Sequence, residues 1–171
     1  QNQQQSAPRR TITYNPAVLP RGHEYFDLRS GLGNSRLKLE RDRQIRIAFL
    51  GGSITAGGGW RDHTMQYFRE RFPDTQFDFI SAGIGSFGSV PHAFRLERDV
   101  LSRGPVDLLF VEAAVNDTSN TADPKHMLRG MEGIVRRMRL ENPLTDIVHL
   151  HFVMPDHMKD YSEGRIPESI A

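Results

Sequence analysis

The sequence contains no cysteine. That excludes disulfides, a zinc–thiolate site and a cysteine nucleophile, but does not fix the compartment. It also lacks any apolar run near the roughly 20 residues that span a bilayer; its longest apolar stretches have the length of strands. An excess of one charge is missing too: 22 Lys and Arg face 21 Asp and Glu, for a net charge of +1. Such a balance gives no electrostatic case for nucleic acid or for an acidic partner. Apolar residues make up 37% and charged residues 25% of 171 residues, which suits one globular domain able to bury a core.

Residues 1–10 are rich in Gln and poor in apolar side chains, so they are expected to be a disordered tail. A polar start without an initiator Met reads as a mature chain after signal removal, although an artificial boundary would look the same. The expected location is secreted or periplasmic. Residues 11–44 are read as an irregular extension, because Pro16, Pro20, Gly22, Gly31 and Gly33 interrupt any long element.

From residue 45 to 171 strand and helix signals alternate. Ile45–Leu50 is a short β-rich run. Trp60, Thr64, Tyr67, Phe68 and Phe72 recur at helical spacing before Pro73, and Phe77–Ile80 forms a second strand. Ser89 is placed to cap a helix that runs through Phe94, Val100 and Leu101 towards Gly104 and Pro105. Val106–Val111 is a third strand, nearly all apolar as a doubly covered strand should be. Asp123 before Pro124 marks a helix start. Met127, Met131, Ile134 and Met138 then make one core-facing stripe, ended by Pro143. Ile147–Val153 is the fourth strand. The order β-α-β-α-β-α-β predicts a flavodoxin-like three-layer α/β/α fold with a parallel sheet, its chemistry beyond the carboxyl ends of the strands.

Three turns fall at that edge. Gly51-Gly52-Ser53-Ile54-Thr55 follows the first strand; by itself it reads as a raised serine, a plain glycine turn or a phosphate cradle. Gly83, Gly85 and Gly88 follow the second and spell G-x-G-x-x-G, the dinucleotide signature, with Glu112 as a ribose-binding acid. The signature falls after the second strand instead of the first, which counts against that reading. Asn116-Asp117 follows the third strand, where an Asn can aim its amide at a substrate oxygen or serve as ordinary turn chemistry. Together the three supply a nucleophile, a backbone donor and a side-chain donor around one point, the parts that hold a tetrahedral acyl intermediate.

On these residues the chain resembles the SGNH hydrolase superfamily, the GDSL-like lipases and esterases. Ile47 to Thr55 is similar to its first block, with Gly52 where many members have Asp; Ala82 to Ser89 is similar to the second, and Ala114-Val115-Asn116-Asp117 to the third. Phe94 to Leu101 and Arg29 to Leu39 resemble a bacterial subgroup with a Gly-Gly-Ser-Ile-Thr nucleophile turn. The resemblance implies Ser53 as catalytic nucleophile and the backbone N–H of Ser53, the Gly85–Ser86 backbone and the Asn116 side chain as the oxyanion hole. Ser86 stands where the family's second-block glycine aligns, a substitution that is costly if the position needs positive φ. Gly52, Trp60, Asp117 and His157 are candidate pocket residues, with Trp60 read equally as a sugar-stacking ring or as helix packing.

Family members carry the general base in a C-terminal Asp-x-x-His block after a fifth strand, and this chain ends at Ala171 soon after its fourth. Its histidines are His23, His63, His92, His126, His149, His151 and His157. Asp123-Pro124-Lys125-His126 is a literal Asp-x-x-His, but it is read as a helix cap with an incidental His. His149 and His151 are assigned structural places in the fourth strand, and His157 is the one candidate stand-in base. The expectation is that a C-terminal segment, or another chain, completes the fold with the last strand, the last helix and the catalytic His and Asp. This chain alone should then be weakly active or inactive. The implied reaction is hydrolysis of an ester, with acyl groups on carbohydrate as the substrate class and no metal or organic cofactor. A non-catalytic carbohydrate-binding module on the same fold is the alternative. No nucleic-acid or membrane partner is expected.

Overall fold

The computed structural model describes residues 26–29, 31–120 and 123–165. The Gln-rich tail, most of the expected extension with His23, and residues 166–171 lie outside the described residues. Before Leu32 the described residues form a turn in which Gly31 N–H donates to the Leu28 carbonyl at 2.9 Å.

From Leu32 onward a four-stranded parallel sheet is ordered β2-β1-β3-β4. Its strands are β1 (Gln44–Gly51), β2 (Gln76–Gly83), β3 (Leu108–Glu112) and β4 (Asp146–Leu150). The helices are α1 (Gly33–Leu37), α2 (Ser53–Ala56), α3 (Trp60–Arg71), α4 (Ser89–Asp99), α5 (Ala114–Ser119), α6 (Pro124–Glu141) and α7 (Pro155–Ser162). The flavodoxin-like α/β reading holds. Side chains alternate across β1 because successive Cβ atoms point to opposite faces. Ala48 and Leu50 join Leu109 and Val111 under α4 and α6, which supply Leu96, Ile134 and Met138. Ile45, Ile47 and Phe49 join Leu108 and Phe68 of α3 on the other face, where Phe49 stacks on Phe110 at 5.2 Å. The Met stripe of α6 packs as read: Met127 and Met138 are buried and Met131 is partly so.

Several boundaries move. Residues 33–42, read as irregular, are α1 and a wider π-helical turn Lys38–Asp42 that buries Leu39. The fourth strand, read as Ile147–Val153, runs from Asp146 to Leu150, and a helix not read from the sequence, α7, starts at Pro155. His151 therefore lies beyond the strand. Ser89 is the first residue of α4 instead of its cap, and Phe94 points outward with 86% of its surface exposed. Asp123 does cap α6, accepting from Lys125 N–H at 2.7 Å, and His126 belongs to that first turn.

Register brings the strand ends level. Gly51 lies beside Gly83, Leu50 beside Val111, and Glu112 beside Leu150. The turns bearing Ser53, Gly85 and Asn116 thus leave the sheet at one edge. Among the described residues no helix is long and apolar enough to cross a membrane, and no cluster of three or more acidic or histidine side chains has the geometry to hold a metal ion.

Candidate active site

Ser53 opens α2 directly after the N-cap Gly52, and its side chain is exposed. The short helix is pressed onto the end of β2: a Cβ on Gly83 would sit 2.6 Å from Ala56 Cα and 2.8 Å from the Thr55 carbonyl carbon. Only glycine permits that approach. Ile84 N–H donates to the Gly51 carbonyl at 2.9 Å, so the β1–β2 ladder extends one step past the strands. The next residue, Gly85, then faces the Ser53 turn, and a methyl placed on it would lie 3.8 Å from Ser53 Cβ.

Beyond Gly85 the chain turns through Ser86 at φ 65°. This is the left-handed conformation that favours glycine, so the serine carries backbone strain here. Two carboxamides of α5 clasp the loop. Asn116 Nδ2 donates to the Phe87 carbonyl at 3.0 Å, and Asn120 Nδ2 donates to the Ser86 carbonyl at 2.9 Å. Asn116 Nδ2 also packs on Gly52, where any Cβ would collide with it. An amide nitrogen carries two hydrogens, so one remains after the bond to Phe87. Ser53, Gly85, Ser86 and Asn116 are thereby gathered by the three turns.

Three of the candidate pocket residues are held by contacts within the fold. Trp60 packs edge-on against Phe49, Phe110 and Phe152 at 5.6, 6.0 and 5.7 Å, which is helix packing rather than a free stacking face. Asp117 is buried and caps α4 from outside, its Oδ1 accepting from Ser89 N–H at 2.8 Å and Ser89 Oγ at 3.1 Å. Burial pushes its carboxyl above the usual carboxylate range, and the two Ser89 donors pull it back in part. His157 is buried, with Nδ1 accepting from Met154 N–H at 3.3 Å and Nε2 3.2 Å from Thr118 Oγ1. Both ring nitrogens are engaged, which leaves it poorly placed to act as a base. Among the described residues no hydrogen bond joins Ser53 Oγ to a histidine.

Three residues have supporting roles that the sequence did not reveal. Glu112, 2% exposed, accepts Gly52 N–H at 2.6 Å and Thr55 Oγ1–H at 3.1 Å on Oε1. This engagement under the serine turn removes it from the role of ribose-binding acid and weakens the dinucleotide reading. Its signal was an acid ending an otherwise apolar strand. Arg95, 5% exposed, donates from Nη1 to the Ala82 carbonyl at 2.8 Å and from Nε to Asp99 at 2.5 Å. It thus braces the end of β2 from below, with its guanidinium 5.9 Å from the Phe87 ring centre. The third is His92, fully buried, whose Nδ1 faces Arg95 Nη1 at 3.2 Å. Burial, and then the Arg95 charge, push its pKa down to about 4. Arginine only donates, so Nδ1 accepts and the ring is neutral near pH 7.

A profile of the GDSL-like lipase/acylhydrolase family matches residues 49–169. No curated protein matches the chain. Among solved structures, a two-domain esterase active on acetylated mannans, crystallised with mannopentaose, is 30% identical with a TM-score of 0.61. The match covers 70% of this chain and 34% of that one, so the chain spans about a third of the length of that relative. An acetyl xylan esterase is 27% identical with a TM-score of 0.51, over 61% of this chain and 57% of that one. A family 3 carbohydrate esterase from Clostridium thermocellum shares the fold at 16% identity and a TM-score of 0.57, over 70% of this chain and 68% of its own. With the profile running from the middle of β1 through every turn of the sheet edge, the chain belongs to the GDSL-like lipase/acylhydrolase family.

Proposed function

We propose that this chain is the nucleophile-bearing part of a serine esterase that removes acyl groups, acetyl above all, from carbohydrate. The observation that carries the reading is the convergence of exposed Ser53 with Gly85 and the Asn116 amide at one sheet edge. Ser53 Oγ gives its proton to a base and attacks the ester carbonyl. The bond from the acyl carbon to the sugar oxygen breaks, and the sugar hydroxyl leaves with that proton. Water then hydrolyses the acyl-serine to the carboxylic acid and free Ser53. The backbone N–H groups of Ser53 and of the Gly85–Ser86 turn, with the remaining Asn116 N–H, receive the oxyanion. Such donors are fixed before the reaction, and each contributes on the order of a hundredfold to a thousandfold in rate. The acetylated mannans and xylans of the relatives support the substrate class. Mannans and xylans are polysaccharides met outside the cytoplasm, which agrees with a secreted or periplasmic protein.

A serine hydroxyl needs a base, and His157 is engaged elsewhere. We place the base and its orienting acid in a further segment of the protein or in a partner chain. A second reading, a carbohydrate-binding module on a hydrolase fold, draws on the same absence of a histidine bonded to Ser53 Oγ among the described residues.

Intact mass after incubation with a fluorophosphonate separates the two. We expect a longer form of the protein to take up one label that Ser53→Ala abolishes, and this chain to label far more slowly. Absence of label in every form would sink the esterase and leave the binding module.

A further inference from the structure

We propose that Glu112 is a positioning residue that locks the nucleophile turn to the end of β3, from which the helix bearing Asn116 leaves, and that Gly51 leaves room for its carboxylate while Gly52 leaves room for Asn116. This rests on the reading of Ser53 as nucleophile.

A carboxylate 2% exposed is costly unless donors surround it. Glu112 finds them in the serine turn: Oε1 takes the Gly52 N–H at 2.6 Å and the Thr55 hydroxyl at 3.1 Å. Thr55 is itself fully buried, so its hydroxyl has no water to turn to. One oxygen thus grips the chain on both sides of Ser53, at the residue before it and at the second residue after it. The Gly52 bond has the short length of a charge-assisted hydrogen bond, which suits a clamp, and the longer Thr55 bond adds a second hold.

The glycines show the same design from the other side. A Cβ on Gly51 would lie 2.7 Å from both Glu112 Cγ and Oε1, and would collide with Thr55 Oγ1. On Gly52 it would lie 3.3 Å from Oε1 and overlap Asn116 Nδ2. Neither glycine has positive φ, so space, not backbone conformation, demands them. Glu112 ends β3, and Asn116 stands on α5 one turn later. The carboxylate therefore fixes the span between the nucleophile and the side-chain oxyanion donor. It touches neither substrate nor reacting atoms and acts through the backbone of Gly52. Displacements of about 1 Å at such a site cost about a hundredfold in rate.

The test compares wild type with Glu112→Ala, Glu112→Gln and Thr55→Val in the longest form of the protein, reading the fluorophosphonate labelling rate, hydrolysis of a small aryl acetate, and exchange of the Gly52 amide proton by NMR. Ile134→Val, a core change under α6, controls for lost stability. Glu112→Ala should label about a hundredfold more slowly, with kcat falling and KM little changed, and should release the Gly52 amide to fast exchange. Glu112→Gln keeps an acceptor oxygen in place and should recover most of the rate, whereas Thr55→Val, missing one of two bonds, should lose only several-fold. The Ile134→Val control should label at the wild-type rate. Wild-type labelling by Glu112→Ala, or a Gly52 amide that exchanges equally fast in wild type and Glu112→Ala, overturns the proposal. If no form labels at all, the esterase reading fails instead, and the Gly52 amide still reports whether Glu112 holds the turn.

Discussion

Ser86 holds φ at 65° with a Cβ that the left-handed region disfavours. The strain, about 1 kcal/mol, is countered by Asn120, whose Nδ2 binds the Ser86 carbonyl. Ser86→Gly removes the Cβ but gives the unfolded chain more freedom, so the net gain is smaller than the strain. We expect a stabilisation of about 0.5 kcal/mol and a rise in Tm of a degree or two. Ser86→Val, β-branched at the same φ, should lower Tm by several degrees. Calorimetry on the three forms decides: a Ser86→Gly variant less stable than wild type would show that the serine side chain contributes more than its backbone costs.

The helices show which parts of the structure were legible beforehand. β1, β3 and α6 announced themselves because their apolar residues follow the period of the element and bury locally. Trp60–Arg71 was found for the same reason, and Asp123-Pro124 marked α6 through a cap made two residues away. Contacts distant in sequence left no such trace. Ser35 N–H and Asn34 Nδ2 of α1 donate to Asp146 at 2.7 and 3.2 Å, so that short helix is anchored by β4 at the far end of the chain. Ser89 seemed a cap because Ser is a good one, yet the acceptor is Asp117 on another helix. The glycine-flanked serine turn stood out in the sequence, but the bonds that Glu112 makes beneath it did not, since nothing local ties an acid at the end of β3 to the glycine after β1.

Within α4 the buried His92 makes a pH test possible. Its pKa is pushed down from 6.5 to about 4 by burial first and by Arg95 second. Below pH 6.5 the unfolded chain takes up a proton that the folded ring refuses, so stability from this group is lost as pH falls from 6.5 towards 4. The loss is on the order of 3 kcal/mol at most. His92→Phe keeps a buried ring without a titrating nitrogen. We expect the difference in unfolding free energy between wild type and His92→Phe to shift against wild type across that window, and to stay flat from pH 7 to 8. Denaturant titrations at several pH values measure it, and a difference independent of pH would mean that His92 titrates normally.

The sheet as a whole is asymmetric. β3 is buried at every position but Phe110, whereas β4 is buried only at Asp146 and pairs only with β3 among the described residues. Phe110, Val148, Phe152 and Trp60 stay partly exposed on the α3 face beside it. Parallel sheets are normally covered on both faces, and an edge strand is a ready template for pairing with further chain. Among the described residues the sheet is thus well covered around β1, and β4 is its last strand on that side. Hydrogen exchange tests this directly. In this chain, the β4 amides that face β3, starting with Asp146, should be more protected than the Ile147 amide on the other side of the strand, at every protein concentration. In a longer form the Ile147 amide should become as slow as its neighbours, and Ser53 labelling should rise with it. Protection that appears in this chain only as its concentration increases would instead mean that a second copy covers β4. The incoming base would then have to be sought across that interface.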